Sequence, residues 1–156
     1  MRNGMAKIGG VAALALALGM LGCGGDLPSK VAYVGQSAPL QSGCQVTFED
    51  AWAREGEVQV RLRVINLTQG IMYVDRDGFA LRLGDGRVAR RTGAVHNVYT
   101  IPPGGQHQVN LGFRDPGYDM RTNGGMSLIV GGISFSTDPR PRVVGEIPLV
   151  QNGPHR

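Results

Sequence analysis

Beyond residue 22 the sequence has no segment of helical periodicity, and nowhere does it hold the roughly 20 consecutive apolar residues that a membrane-spanning helix requires. Helix-rich architectures and a permanent transmembrane anchor are both disfavoured. Cysteine is nearly absent, with 2 in 156 residues, Cys23 and Cys44. The Cys…Trp…Cys spacing of antibody domains is therefore missing. Lysine is also scarce, because after residue 22 only Lys30 remains and the other 13 basic residues are arginines. Against 12 acidic residues they leave a balance of +2, with no clustered basic face, so no nucleic-acid partner is expected.

What is abundant is glycine, at 25 residues, which points to many turns and tight strand connections. One domain is expected for a chain of this length. The amino end has the parts of a secretory signal: Arg2 and Lys7, a charge-free apolar run from Ile8 through Leu21, and then small residues. Cys23 directly follows, and the stretch Met20-Leu21-Gly22-Cys23 resembles the lipobox of a bacterial lipoprotein signal. That resemblance implies cleavage before Cys23 and a covalent lipid on it. Two or three acyl chains, at ~0.8 kcal/mol per buried CH₂, give stable anchoring without a spanning segment. The alternative is an ordinary secretion signal, with Cys23 paired to Cys44. The division expected is a signal peptide over 1–22, a tether and possible first edge strand over 23–43, a β-sandwich over 44–150, and a tail over 151–156.

From Cys44 onward the period is two. Cys44, Val46 and Phe48 alternate with polar residues, and Trp52 extends that apolar face past Asp50. Val58, Val60, Leu62 and Val64 alternate without a break, a pattern that an α-helix would scatter around its circumference. Phe79, Leu81 and Leu83 lead into Gly84-Asp85-Gly86-Arg87, a hairpin signal. Val109, Leu111 and Phe113 form a further strand after Pro102-Pro103-Gly104-Gly105, and a long polar loop is expected from Arg114 to Gly125. Met126, Leu128 and Val130 alternate, and a last strand from Val143 to Val150 is assigned to an edge because of Pro148. Seven or so short strands separated by Gly, Pro, Asp and Asn indicate an all-β fold, a single antiparallel β-sandwich of immunoglobulin-like type.

Tyr33-Val34-Gly35-Gln36, the strand ending in Asn66, the Phe79–Gly86 hairpin and Ile101-Pro102-Pro103-Gly104-Gly105 resemble bacterial immunoglobulin-like lipoprotein domains of uncharacterised function, those called DUF4352 or telokin-like. The similarity covers roughly 32–149. It implies fold-determining residues and brings no catalytic ones.

Chemistry is hard to find. No Ser or Cys nucleophile stands in a recognisable pattern with His96, His107 or His155, so no enzyme is expected. A blue-copper set would place Cys, His and Met close together, which Cys44, His96, His107, Met120 and Met126 do not. Asp75-Arg76-Asp77-Gly78 is a fragment of a calcium loop lacking its later ligands, and reads as a solvated turn. Neither a metal nor a cofactor is expected. Arg87, Arg90 and Arg91 read as a charged strand edge. The candidate binding loop is the one carrying Arg114, Tyr118, Met120 and Arg121, since long loops on rigid sandwiches commonly carry recognition. The expected function is a lipid-anchored interaction module of the bacterial cell envelope, periplasmic or surface-facing, with an envelope protein as partner. The alternative is a periplasmic ligand- or metal-binding protein.

Overall fold

Residues Cys44–Asn66 form β3, and as one straight strand they would extend about 75 Å. They do not. The Arg63 guanidinium donates to Glu49 Oε1 at 2.6 Å, and at the open end the Leu67 N–H donates to the Gly43 carbonyl at 2.9 Å. β3 is therefore a hairpin of two arms, turning near Gly56, whose φ of 65° is the left-handed conformation that glycine accepts. The alternating runs Cys44–Phe48 and Val58–Val64 are those two arms, two strands as the periodicity predicts.

The computed structural model describes residues 31–93, 96–119 and 125–154. The expected signal peptide, Cys23 and the tether as far as Lys30 lie outside the described residues. Every strand pairing is antiparallel. β1 (Val31–Gly35) and β2 (Ala38–Pro39) follow the first arm of β3 in one register, and the Ser37 hydroxyl accepts the Phe48 N–H where their ladder is interrupted. The second arm pairs with β8 (Gln106–Asp119). On its other side β1 pairs with β12 (Gly145–Pro154), then come β9 (Met126–Val130), β5 (Ala80–Arg82) and β6 (Val88–Arg90). An isolated bridge between Arg91 and Phe113 and the Thr92 N–H bond to the Gly112 carbonyl link the end of β6 to β8, so the sheet closes on itself. A second sheet runs β11 (Asp138–Arg142), β10 (Ile133–Phe135), β4 (Met72–Asp75) and β7 (Val98–Ile101). One continuous core joins both sheets, including Val58, Val60, Leu62 and Val64 from β3, Val109 to Phe113 from β8, and Met72, Val74 and Ile133 from the second sheet. The fold is all-β and sandwich-like, with the larger sheet curled toward a barrel.

Several expectations change. β1 lies inside the sheet, between β3 and β12, and is not an edge strand. β12 is also internal and runs to Pro154, so most of the expected tail is strand. Pro148 is tolerated because the β1 ladder stops at Gly35 opposite Leu149, leaving Pro148 without a β1 partner. The expected loop at Arg114 is strand as far as Asp119. The apolar face of β3 also switches parity. Cys44 and Val46 point inward, but so do Ala51 and Ala53, which puts Trp52 on the solvent side. The switch falls between Val46 and Ala51, over the stretch where β3 passes from its β2 ladder to its β1 ladder.

Beside the hairpin turn, Asp115–Tyr118 form an excursion of β8 that packs against Gly56. Asn66 closes the other end. Its fully buried amide donates to the Gly70 and Ile101 carbonyls at 2.7 and 3.0 Å, and accepts from the Thr68 N–H and hydroxyl at 2.9 and 2.7 Å. Two turns are thereby joined to one side chain.

Candidate functional site

The parity switch exposes the outer face of three adjacent strands. The two arms of β3 and β8 place Asp50, Arg61 and Asn110 in one cross-strand row, and Trp52 with Gln59 in the next. Opposite Gln59 stands Gly112, where an added Cβ would lie 2.8 Å from the Gln59 amide nitrogen. The absence of a side chain there lets Gln59 fold down against β8. The result is a groove of about 290 Å³, open to solvent and lined by Asp50, Trp52, Gln59, Arg61, Gln108 and Asn110 with Val60 at its base. Arg61 lies 3.9 Å from Asp50, so the groove's charges are balanced. Gln59 donates to Glu57 at 2.6 Å, and Arg54 lies over the Trp52 ring, 5.2 Å from its centroid.

The same face continues across β1 into β12. Trp52 is opposite Ala32, and Val34 is opposite Val150. Val34 is 46% exposed and Val150 60%, a cross-strand pair of large apolar side chains turned to water.

A second cluster sits on the turn that follows β4. Asp75 caps the turn by accepting the Asp77 N–H at 2.9 Å. His96 Nδ1 lies 2.9 Å from Asp77 Oδ2 and 3.7 Å from Asp75 Oδ1. The Arg91 guanidinium, whose side chain is only 5% exposed, grips the other Asp77 oxygen. Hydrogen bonds from His96 and then Arg91 hold the Asp77 carboxyl below its usual range, and the Asp77 contact raises His96 above its own. Asp75, Asp77 and His96 are the one group of three ligand-type side chains brought together among the described residues, their ligand atoms all within 4.8 Å of one another. Arg91 already neutralises Asp77 there, so the arrangement is an ion-pair network on a capped turn. Sequence reasoning named Arg91 and His96 separately but had no signal that they meet at Asp77.

The expected binding loop is only partly in view. Arg114 is exposed on β8. Tyr118 is not a free loop side chain: it is 7% exposed, its hydroxyl accepts the Gly84 N–H at 3.1 Å, and Arg87 lies over its ring. Met120 and Arg121 lie outside the described residues. The basic cluster is divided, with Arg87 bound to Asp85 and Asp115, and Arg91 turned to Asp77. His107 stacks on Tyr99 with ring centroids 4.0 Å apart. Cys44 is fully buried, and burial pushes its thiol up to about 12. No helix among the described residues is long and apolar enough to cross a membrane.

Neither a family model nor a characterised protein matches the chain. Among solved structures it is similar to the X-ray structure of a Northeast Structural Genomics Consortium target, at 15% identity over 78% of this chain and 86% of that one, with a TM-score of 0.43. It is also similar to a Bordetella pertussis structural-genomics target described as an ApaA protein, at 16% identity over 77% of this chain and 90% of that one, with a TM-score of 0.41. Likeness at this level assigns this chain neither a family nor a role.

Proposed function

We propose that the chain is a bacterial envelope lipoprotein, held to a membrane by a lipid on Cys23, whose β-sandwich is a non-catalytic interaction module. The immunoglobulin-like, DUF4352 or telokin-like resemblance belongs to this reading, as does the envelope location. The observation that favours the interaction role is the cross-strand pair Val34 and Val150, both turned to water on the face that also carries Trp52, because large apolar side chains gathered on one outer face favour a protein contact. The buried Cys44 supports the lipid assignment. A bridge to Cys23 would require opening the core around a thiol that stays protonated at neutral pH. The partner is an envelope protein that meets this face.

Two measurements test the reading separately. Mass spectrometry of the mature amino end is expected to find Cys23 acylated, and an unmodified Cys23 or one joined to Cys44 would sink the anchor. A photo-crosslinking residue at Val34 or Val150 in living cells is expected to trap one discrete envelope protein, whereas the same residue at Gly86 on the hairpin tip traps none. Equal labelling from all three positions would remove the interaction face.

A further inference from the structure

The groove beside that apolar pair has a chemistry of its own. Its lining offers acceptors from Asp50, donors from Arg61, and both from the amides of Gln59, Gln108 and Asn110, around the chain's single tryptophan. Paired opposite charges leave no net attraction for an anion or a cation. Side chains with two polar atoms in one plane suit a ligand with neighbouring hydroxyls, each of which both donates and accepts. An indole beside them suits a ligand with an apolar face of C–H groups. Neutral pyranose sugars combine these two properties. The groove volume, about 290 Å³, sits near the small end of ligand sites, ~300 Å³, enough for one or two sugar rings in an open trough.

The support is rigid as well. All the polar lining residues stand on paired strands, with Arg61 opposite Asn110 and Arg63 opposite Gln108 in an unbroken register. A site built on ladders holds its geometry better than one on a loop. The parity switch between Val46 and Ala51 turns Trp52 to the outer face while its neighbours Ala51 and Ala53 are buried. A large aromatic placed outward by a local irregularity is what a binding surface requires and what packing alone does not.

We propose that this groove binds a neutral saccharide, a pyranose ring meeting Trp52 from the groove side while its hydroxyls are shared among Asp50, Arg61, Gln59, Gln108 and Asn110. The groove uses neither Cys23 nor the side chains of Val34 and Val150, and it borders that apolar pair at Trp52, so the amide variants Asn110→Ala and Gln108→Ala test it apart from the proposed contact face.

Because Trp52 is the only tryptophan, its fluorescence reports this site alone. The full chain, purified in a detergent without a sugar headgroup, would be titrated with chitotriose, cellotriose and maltotriose up to about 10 mM, the range of weak single-site binding. At least one trisaccharide is expected to change the emission saturably. Asn110→Ala and Gln108→Ala, both exposed substitutions, should each weaken that affinity about threefold to tenfold, the loss of one or two net hydrogen bonds. Trp52→Ala should abolish saturation-transfer NMR signals from the sugar, with circular dichroism confirming that each variant is folded. No saturable change with any of the three sugars would overturn the proposal. So would a change of equal affinity in both amide variants.

Discussion

Replacing Asn66 by alanine removes four side-chain hydrogen bonds at a fully buried position, to Gly70, to Ile101 and twice to Thr68. At about 1 kcal/mol net for each bond, and with the Ile101 carbonyl losing this partner in the interior, the loss is about 3–4 kcal/mol. For a domain of this size that corresponds to a fall of about 10–15 °C in Tm. Chemical denaturation of the wild type and Asn66→Ala, followed by circular dichroism, measures it directly. Asn66→Asp sharpens the test, because it keeps the acceptor toward Thr68 but turns two donors into a carboxylate facing two carbonyls. Such an acid has its folded-state pKa raised. Its penalty is therefore full at pH 7 and relieved as the pH falls toward 4. If Asn66→Ala costs less than about 0.5 kcal/mol, the amide is not the clamp between the two turns, and the reasoning fails.

Four further outcomes follow from the structure. In native protein Cys44 should resist a thiol reagent that labels it fully in denaturant, and if Cys23 is lipidated, denatured protein should show one titratable thiol; rapid native labelling would contradict the burial. Gly132→Ala should destabilise by more than about 3 kcal/mol in urea melts, because Gly132 has a φ of 72° and its Cβ would run into the Asp75 carbonyl and Gly78; a loss under 1 kcal/mol would refute that packing. His96 should titrate by NMR above its ordinary value, about 6.5, and fall back in Asp77→Asn. Stability from the raised His96 fades as pH rises through its folded value, and that from the depressed Asp77 fades as pH drops through its own, so the network contributes most between about pH 4 and 6.5. Val150→Asp should leave the melting temperature within about 2 °C while abolishing the crosslinks of the apolar face; loss of folding instead would place Val150 in the core.

The strands most plainly written in the sequence were those whose alternation is uninterrupted. Val58, Val60, Leu62 and Val64, and likewise Val109, Leu111 and Phe113, point inward as their spacing demands. The Asp85-Gly86 turn forms between β5 and β6, with the Leu83 N–H donating to the Arg87 carbonyl. Where a strand changes its inward parity partway along, as β3 does between Val46 and Ala51, the alternation on paper no longer says which face is buried. That is why Trp52 reads as core and stands outside. The groove was invisible for the same reason, since Gln59, Arg61, Gln108 and Asn110 look individually like solvent-facing strand residues, and only their register gathers them around the indole. β11, spelled Asp138-Pro139-Arg140-Pro141-Arg142, carries no strand signal and is held as an edge partner of β10. Its prolines and arginines suit an open edge, where a second chain would otherwise add on.

The first described strand and the last are neighbours. β1 finds its β3 partner close by in sequence, but its other side has no partner until β12, more than a hundred residues later, is available. The sheet can then be completed only once β12 is present. It also means that a pull along β1 from its amino end would load both of its ladders at once.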